Sequence, residues 1–254
     1  MSAAIHVLVP VRGEARFLDT ALASLQAQTF TDWQALLCPV GAVRVSGVHA
    51  DARIRMAAAQ ARDADALQHA AASASTPYMC VLDGDDALDR QALARLHASL
   101  QDNPDAGMAY SRHVLIDAQG HVLGPGPLCE LPYSPDALLL DFMTGPLRLF
   151  RTKAFHRAGG YTTAHPHAAD YDLCLRVSET CAIVHVPQPL YARRIHPDAP
   201  DVTHWAEGIE ARYAAFVAAV QRRGLDTQYD CALQIDSWHL LHPLQPSSGA
   251  ARPA

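Results

Sequence analysis

Short apolar segments alternate with helix-patterned segments through the first part of the chain, and this alternation limits the fold more than any other feature. Residues 5–10 form a β-branched run that ends at a proline, and similar apolar runs occupy residues 33–38 and 78–82. Apolar residues recur at helical spacing between and after these runs, as in residues 14–28 and 89–101. Alternating strands and helices are typical of βαβ units, which build a parallel sheet. We therefore predict an α/β fold with a mostly parallel sheet flanked by helices.

The second half of the chain has shorter and more varied segments. A turn at residues 117–120 divides residues 107–123 into the two predicted strands of a hairpin. The other predicted elements are an alanine-rich helix at 57–74, a glycine- and proline-rich loop at 124–135, a strand at 147–150, helices at 152–157 and 170–179, a strand at 182–186 that Pro187 ends, and an amphipathic helix at 203–223. We predict one domain over residues 1–242, with a C-terminal helical segment from residue 203, and a disordered tail over 243–254.

The composition excludes several classes of protein. The 254 residues carry a formal net charge of -6 with scattered basic residues, so we expect no nucleic-acid partner. The first residues do not have the pattern of a signal peptide, and no apolar run reaches the ~18 residues of a transmembrane helix. The six cysteines form no Cys-x-x-Cys pair and are predicted to be buried free thiols. We predict a cytoplasmic location, with peripheral attachment to a membrane left open.

Three carboxylates lie within four residues directly after the third apolar run, in the sequence Leu82-Asp83-Gly84-Asp85-Asp86. Carboxylates at this spacing repel one another, and a hard cation such as Mg²⁺ or Mn²⁺ relieves the repulsion. Ligand sites in open α/β sheets also lie beyond the carboxyl ends of the strands. The alternative is a solvated turn in which Asp86 or Asp89 caps the next helix. From these residues alone, both interpretations stay open.

Four segments, taken in order, resemble those of the family 2 glycosyltransferases. They are Val9-Pro10-Val11-Arg12-Gly13-Glu14 with the following residues to Leu37, the Asp83-Gly84-Asp85-Asp86 motif, Gly159-Gly160-Tyr161 followed by Ala169-Asp170-Tyr171-Asp172-Leu173, and Tyr191-Ala192-Arg193-Arg194-Ile195-His196. The likeness covers about residues 5–200. It implies a GT-A fold with a nucleotide-binding half at about 1–105 and an acceptor-binding half at about 106–200. It also implies an inverting sugar transfer from a nucleoside-diphosphate sugar, often UDP-linked, assisted by Mn²⁺ or Mg²⁺.

The resemblance also implies roles for individual residues. The implied donor contacts are Pro10, Val11, Arg12, Glu14, Asp83 and Asp85, and the implied metal ligands are Asp85, Asp86 and His196. Asp170 matches the residue that takes the proton from the acceptor hydroxyl, and a carboxylate within hydrogen-bond reach can do this. For Asp170 the alternative is a helix N-cap, and for His196 it is an ordinary surface histidine. We expect Asp172 to pair with Arg176 on one helix face.

Arg193 and Arg194 have two open interpretations, as a phosphate contact in the same loop or as an exposed pair. His165 and His167, on either side of Pro166, do not have the spacing of a standard metal site.

The chain departs from the family pattern at several positions. The family carries an acidic segment after its second strand, where this chain has Leu37-Cys38-Pro39-Val40-Gly41-Ala42 without a carboxylate. Arg12-Gly13 replaces an aromatic–asparagine pair, Leu67-Gln68-His69 replaces a segment with arginine and asparagine, and Ala169 replaces a glutamate. Three explanations stay open: the enzyme uses another nucleotide, it binds the donor base through backbone groups, or the chain is a catalytically weakened relative.

Three functions remain to be compared. The first is an inverting glycosyltransferase acting on a saccharide, a lipid-linked or another hydroxyl acceptor, with a UDP-sugar as the expected donor. The second is an inactive relative that binds a nucleotide sugar or glycan as a partner subunit. The third, a nucleotidyltransferase, is disfavoured because the turn at residues 11–14 has a single glycine.

Overall fold

The computed structural model describes residues 3–13, 15–43, 51–60, 62–72 and 74–233. The strands are β1 (Ile5–Val11), β2 (Trp33–Pro39), β3 (Ile54–Met56), β4 (Tyr78–Val81), β5 (Ala87–Leu88), β6 (Ala106–Ile116), β7 (Val122–Pro125), β8 (Arg148–Arg151) and β9 (Ala182–Arg194). The α-helices are α1 (Leu18–Gln26), α2 (Asp63–Ala72), α3 (Ala92–Asp102), α4 (Pro135–Leu140), α5 (Thr152–Arg157), α6 (Ala169–Ser178), α7 (Pro200–Thr203) and α8 (Trp205–Arg222). The chain then continues into a 3₁₀ turn, Leu225–Thr227.

The described strands form one sheet in the order β3-β2-β1-β4-β8-β6-β9-β5, with β7 paired to β6. The β1–β2, β2–β3, β1–β4 and β6–β9 pairs are parallel. The β4–β8, β6–β8, β6–β7 and β5–β9 pairs are antiparallel. Most strands thus run in one direction, and the predicted α/β class with a mostly parallel sheet is confirmed.

Two apolar cores, one on each face of the sheet, hold the helices in place. All of β1 is buried, and its side chains alternate between the faces, as expected for a central strand covered on both sides. Ile5 and Val7 contact the core that contains α1 and α3, whereas Leu8 contacts the core that contains α2, α6 and part of α8. Because β1 is fixed from both faces, the backbone at its carboxyl end is held rigidly.

Strand β9 differs most from the prediction. It was expected to end at Pro187 but continues to Arg194. Its pairing with β6 shifts register around Arg112, and Pro187 and Pro189 lie exposed at this irregularity. An irregular ladder of this kind tolerates proline because the missing N–H need not pair. The extension matters for function because it carries Tyr191 and Arg194 to the acidic residues after β4.

Other boundaries also differ from the prediction. Ile54–Met56 forms an edge strand that the pattern did not reveal, and the alanine-rich helix begins at Asp63 instead of residue 57. The hairpin around residues 117–120 is confirmed by the β6–β7 pairing. The amphipathic face of α8 packs only in its C-terminal part, since Ala215 and Val220 are buried whereas Trp205 is 63% exposed.

The cysteine prediction is confirmed in its chemistry and partly in its burial. All six are free, four are buried, and Cys181 and Cys231 are half-buried. Among the residues that the structure describes, none of the helices has the length and apolarity needed to cross a bilayer. The predicted tail at 243–254 lies outside the described residues, and the division of the chain into halves stays a prediction.

Candidate functional site

An open cleft of about 460 Å³ lies at the carboxyl ends of β1 and β4. Three segments form it, namely the end of β1 with the turn that follows, the acidic loop of residues 83–86, and the loop after β9. Its lining residues are Pro10, Val11, Arg12, Gly13, Ala15, Arg16, Phe17, Gly84, Asp85, His196 and Asp198. This location is the usual one for ligands of open α/β sheets.

A close backbone contact joins the acidic loop to β1. The Gly84 amide donates to the Pro10 carbonyl at 3.1 Å. A Cβ atom at Gly84 would lie 2.9 Å from the same carbonyl oxygen, which leaves no room for a side chain. The glycine between the aspartates therefore lets the acidic loop lie against the end of β1, and the predicted donor contacts Pro10 and Val11 share the cleft with Asp85.

Asp85 and His196 meet in the cleft although they are far apart in sequence. The His196 Nε2 and Asp85 Oδ2 atoms are 3.0 Å apart, and the Asp85 side chain is 24% exposed. The ring of His196 lies 5.4 Å from that of Phe17, and its Nδ1 has no hydrogen-bond partner in the described part of the chain. A surface histidine is thus excluded, since the His196 side chain is 8% exposed.

The Asp86 side chain faces the interior of the protein, unlike that of Asp85, which faces the cleft. Tyr191 Oη donates to its Oδ2 at 2.7 Å, and the Arg194 amide donates to its Oδ1 at 2.7 Å. The residue is 4% exposed, and burial, with the charges of Asp83 and Asp85, raises its pKa well above the usual range. The structure therefore separates Asp86 from the cleft and uses its carboxyl group to fasten β9 to the acidic loop.

Arg194 belongs to this buried arrangement. Its Nε donates to the Asp85 carbonyl at 2.8 Å, and Nη1 donates to the Asp117 carbonyl at 2.8 Å. The guanidinium carbon lies 4.4 Å from the centre of the Phe17 ring. Arg194 is 4% exposed, so the exposed-pair interpretation is wrong for it, and its donors are engaged by backbone carbonyls.

Asp83 is the first residue of the acidic loop, and its backbone amide donates to Tyr191 Oη at 3.2 Å. Arg12 Nη1 and Asp83 Oδ1 form an ion pair at 3.1 Å, with both side chains partly exposed. Burial raises the pKa of Asp83 to about 6, Arg12 opposes this shift, and the charges of Asp85 and Asp170 add to it.

Asp170 occupies the first turn of α6 but does not cap it. Ala168 has the N-cap position, and no side-chain hydrogen bond caps the helix, so the capping alternative is wrong. Asp170 Oδ2 lies 2.9 Å from Arg148 Nη2, and its Oδ1 accepts from Tyr161 Oη at 3.0 Å. The Asp170 side chain is 40% exposed, so a further hydroxyl group has access to it.

Asp172 forms the expected pair on the same helix. Its Oδ2 accepts hydrogen bonds from Arg176 Nη2 at 2.8 Å and Nε at 3.0 Å. Asp172 is buried, so this prediction is confirmed and its role is structural.

The segment after β2, which lacks the expected carboxylate, is held by backbone pairing. The Val40 amide donates to the Val11 carbonyl at 2.9 Å, and the Gly41 amide donates to the Gln60 carbonyl at 2.7 Å. These two amides are used within the fold and do not replace the missing carboxylate. Glu14, the remaining predicted donor contact, lies outside the described residues.

The predicted set omitted several residues of the site. Arg16, Phe17 and Asp198 line the cleft, and Arg16 Nη2 pairs with Asp198 Oδ2 at 3.3 Å across it. Arg148 and Tyr161 bind Asp170 on the other side. For Arg148 a signal was present, because a charged residue inside the apolar run Pro146-Leu147-Arg148-Leu149-Phe150 requires a buried partner.

The described residues offer few groups for a metal. They contain no group of three or more His, Cys, Asp or Glu side chains arranged to hold an ion. Asp85 and His196 are nevertheless adjacent and of suitable chemistry, since Mn²⁺ takes both carboxylate and imidazole ligands. Two protein ligands suffice where phosphate oxygens and water complete the shell, as Mg²⁺ sites commonly show.

Comparisons with known proteins give relatives in glycan biosynthesis. The O-antigen biosynthesis protein RfbC of Myxococcus xanthus is 26% identical over 247 residues, 93% of this chain and 18% of that protein. A chondroitin synthase of Escherichia coli is 22% identical over 199 residues, 76% of this chain and 29% of that protein. The chain thus spans less than a third of the length of these relatives. No family model matches the sequence.

Solved structures with the same fold include two with bound nucleotide sugars. S. aureus TarS (residues 1–349) in complex with UDP-GlcNAc has a TM-score of 0.67 at 11% identity, covering 85% of this chain and 66% of that one. The mannosyltransferase PcManGT from Pyrobaculum calidifontis, in complex with GDP-Man and Mn²⁺, has a TM-score of 0.63 at 14% identity, covering 87% of this chain and 65% of that one. At these identities the likeness concerns the fold.

Proposed function

We propose that this chain, a relative of the family 2 glycosyltransferases with their GT-A fold, transfers a sugar from a nucleoside-diphosphate sugar to an acceptor hydroxyl in glycan or glycoconjugate biosynthesis. The observation that carries the proposal is the meeting of Asp85 and His196, 3.0 Å apart, at the carboxyl ends of β1 and β4. Relatives in glycan biosynthesis and neighbours with bound UDP-GlcNAc and GDP-Man support it. We favour a UDP-sugar as the donor and retain a cytoplasmic location as a prediction.

Asp85 and His196 are the groups that would hold Mn²⁺ or Mg²⁺. We leave Asp86 out of this ligand set because it is 4% exposed and its carboxylate faces Tyr191 and the Arg194 amide in the interior. When bound there, the cation supplies positive charge against the negative charge that develops on the departing diphosphate. Arg12 and Arg16 also line the cleft and add fixed positive charge. Pro10 and Val11 form the floor against which the nucleoside packs, and Asp83 is proposed to accept from a ribose hydroxyl.

Asp170 is proposed as the base in an inverting transfer. The acceptor oxygen attacks the anomeric carbon, its proton passes to Asp170, and the bond from that carbon to the diphosphate breaks. A carboxylate in this role must keep a free lone pair, and Asp170 does so because Arg148 and Tyr161 each occupy one site on a different oxygen. Its 40% exposed side chain leaves a path for the acceptor.

A second candidate function has a specific observation in its favour. The segment after β2 has no carboxylate, and the Val40 and Gly41 amides are engaged within the fold. A donor base without its usual partner loses affinity or selectivity. A relative that binds a nucleotide sugar or glycan without turnover, as a partner subunit, would have this property.

The test combines binding and turnover. Calorimetry with UDP- and GDP-sugars, with and without Mn²⁺, is followed by donor hydrolysis and by transfer to a panel of saccharide and lipid-linked acceptors. Our proposal expects Mn²⁺-dependent donor binding, and transfer that Asp170→Asn lowers by about 10²–10⁴-fold while donor binding persists. Asp102→Asn, an exposed aspartate at the end of α3, is the control that leaves both unchanged. Tight donor binding without turnover on every acceptor would support the second function instead.

A further inference from the structure

Arg148 is a buried charge that the proposed mechanism does not yet use. It is the first residue of β8 and is 3% exposed. Its guanidinium carbon lies 5.3 Å from the centre of the Phe142 ring. A guanidinium group in such surroundings is costly unless its donors are satisfied and its charge is paired.

Two contacts provide that compensation. Arg148 Nη1 donates to the Gly145 carbonyl at 2.6 Å, and Nη2 lies 2.9 Å from Asp170 Oδ2. Burial opposes the charge, but the acidic groups around Arg148, with Asp170 the largest contributor among them, together outweigh burial and raise its pKa. Arg148 is therefore a permanent cation placed beside the proposed base.

The local sequence explains how the guanidinium is held. Gly145 has a φ of +61°, a left-handed conformation that glycine adopts without strain, and a Cβ there would lie 3.2 Å from the Ser111 carbonyl. In this conformation the Gly145 carbonyl faces the Arg148 side chain and accepts its hydrogen bond. Strand β8 pairs with both β4 and β6, and Arg148 itself lies opposite Tyr110 of β6.

We propose that Arg148 is a positioning residue for the sugar transfer, which holds the Asp170 carboxylate in the orientation that accepts the acceptor proton. The inference rests on the proposed function, in which Asp170 is the base. Arg148 fixes Oδ2, Tyr161 fixes Oδ1, and the carboxylate keeps one defined direction toward the exposed side. Orientation of this kind matters because small displacements of a reacting group reduce rates strongly.

A matched control is available on the same strand. Arg151 is the last residue of β8, and its guanidinium donates to the carbonyls of Ala106 and Leu100 and to Tyr78 Oη. Arg151 is partly buried, and within the part of the chain that the structure describes its hydrogen bonds go to groups outside the site. Substitution of Arg151 therefore measures how much kcat falls when β8 loses an arginine that has only a structural role.

The experiment is a double-mutant cycle on the whole chain, with kcat and the donor KM measured for Arg148→Met, Asp170→Asn and both together. Methionine retains most of the aliphatic stem without the charge. We expect R148M to lower kcat by about 100-fold and to leave the donor KM within about threefold, since a general base contributes ~10²–10⁴. In the Asp170→Asn background the same substitution should lower kcat no further, because Arg148 acts through Asp170.

Further variants distinguish a positioning role of Arg148 from a purely structural one. Arg148→Lys should recover about tenfold of the lost kcat, since it restores the charge without the paired donors. Arg151→Met should lower kcat by a similar factor in both backgrounds, or leave it unchanged. If R148M does not fold, as judged by circular dichroism, the cycle is measured with R148K.

Two results would overturn the inference, and they differ in meaning. Equal losses from R148M in both backgrounds would make Arg148 a structural residue and leave the proposed function intact. Full transfer by Asp170→Asn would contradict the assignment of the base itself, and with it the role of Arg148.

Discussion

Asp85 and Asp86 are adjacent in the acidic loop, yet they belong to different regions of the molecule. Asp85 faces the cleft, where its partner is the side chain of His196. Asp86 faces the interior, where Tyr191 and the Arg194 amide occupy both its oxygens. Groups on the cleft side have partners that a ligand can replace, whereas groups on the interior side have partners that the fold needs. We therefore propose that Asp85 serves the reaction, whereas its neighbour Asp86 serves the stability of the fold.

The largest expected effect concerns the cleft side. Asp85→Ala should reduce transfer by at least about 10³-fold and remove the Mn²⁺ dependence of donor binding, because one of two proposed metal ligands is lost. The free energy of unfolding should change little, since the Asp85 side chain is partly exposed. Calorimetry with donor and Mn²⁺, beside thermal unfolding, measures both. Unchanged metal dependence would remove Asp85 from the proposed site.

For Asp86, on the interior side, we expect a large loss of stability and little change in metal binding. Asp86→Ala leaves the Arg194 amide without an acceptor and deprives Tyr191 Oη of its own, so the free energy of unfolding should fall by about 3–4 kcal/mol. Mn²⁺ affinity of the remaining folded protein should be unchanged. Denaturant unfolding and Mn²⁺ titration below the midpoint test this. A large loss of affinity without loss of stability would show that Asp86 faces the ligand after all.

The difference between these two aspartates shows which features of the site could be predicted from the sequence and which could not. The apolar runs that end at Pro10 and before Asp83 predict two strands of one parallel sheet, and the resemblance to the family implies that Asp170 and His196 belong to the same site. The orientation of Asp86 could not be predicted, because it depends on β9 continuing through Pro187 and Pro189 to deliver Tyr191.

Other contacts between residues far apart in the chain could not be predicted from the sequence either. The sequence shows that Arg148 interrupts an apolar run, but not that Asp170, on a different element, is its partner. The pairing of β8 with β6, which places Arg148 opposite Tyr110, and the turn at Gly145 hold the arginine in position. Local patterns therefore predicted the strands and the acidic loop, whereas partners separated by many residues required the structure.

A pH effect is expected deeper in the interior. His113 on β6 is 5% exposed, neither ring nitrogen has a hydrogen-bond partner among the described residues, and burial, with the charge of Arg193, lowers its pKa to about 4. Below the ordinary histidine pKa of 6.5, His113 is protonated in the unfolded chain but stays neutral in the folded chain. Stability should therefore fall by about 2 kcal/mol between pH 7 and pH 5.

Denaturant unfolding at a series of pH values measures this loss, and His113→Leu is the comparison, since leucine cannot be protonated. The variant should lose less stability over the same interval, although His6, which is also buried with a lowered pKa, still contributes. An identical pH dependence in both proteins would show that His113 is accessible to protons in the folded state.

The smallest effect is expected at the rim of the cleft. Arg16 and Asp198 pair at 3.3 Å with side chains that are 50% and 79% exposed. Exposed ion pairs contribute about 0–1 kcal/mol and are screened by salt, so Asp198→Asn should change the free energy of unfolding by less than about 0.5 kcal/mol. Because Arg16 loses a competing carboxylate, the donor KM should fall at low salt, by about two- to threefold, and the difference should vanish at 0.5 M salt. Arg16→Ala is the matched variant and should raise the donor KM instead. A raised KM in Asp198→Asn would mean that Asp198 itself binds the donor, and the rim would then belong with Asp85 among the groups that a ligand engages.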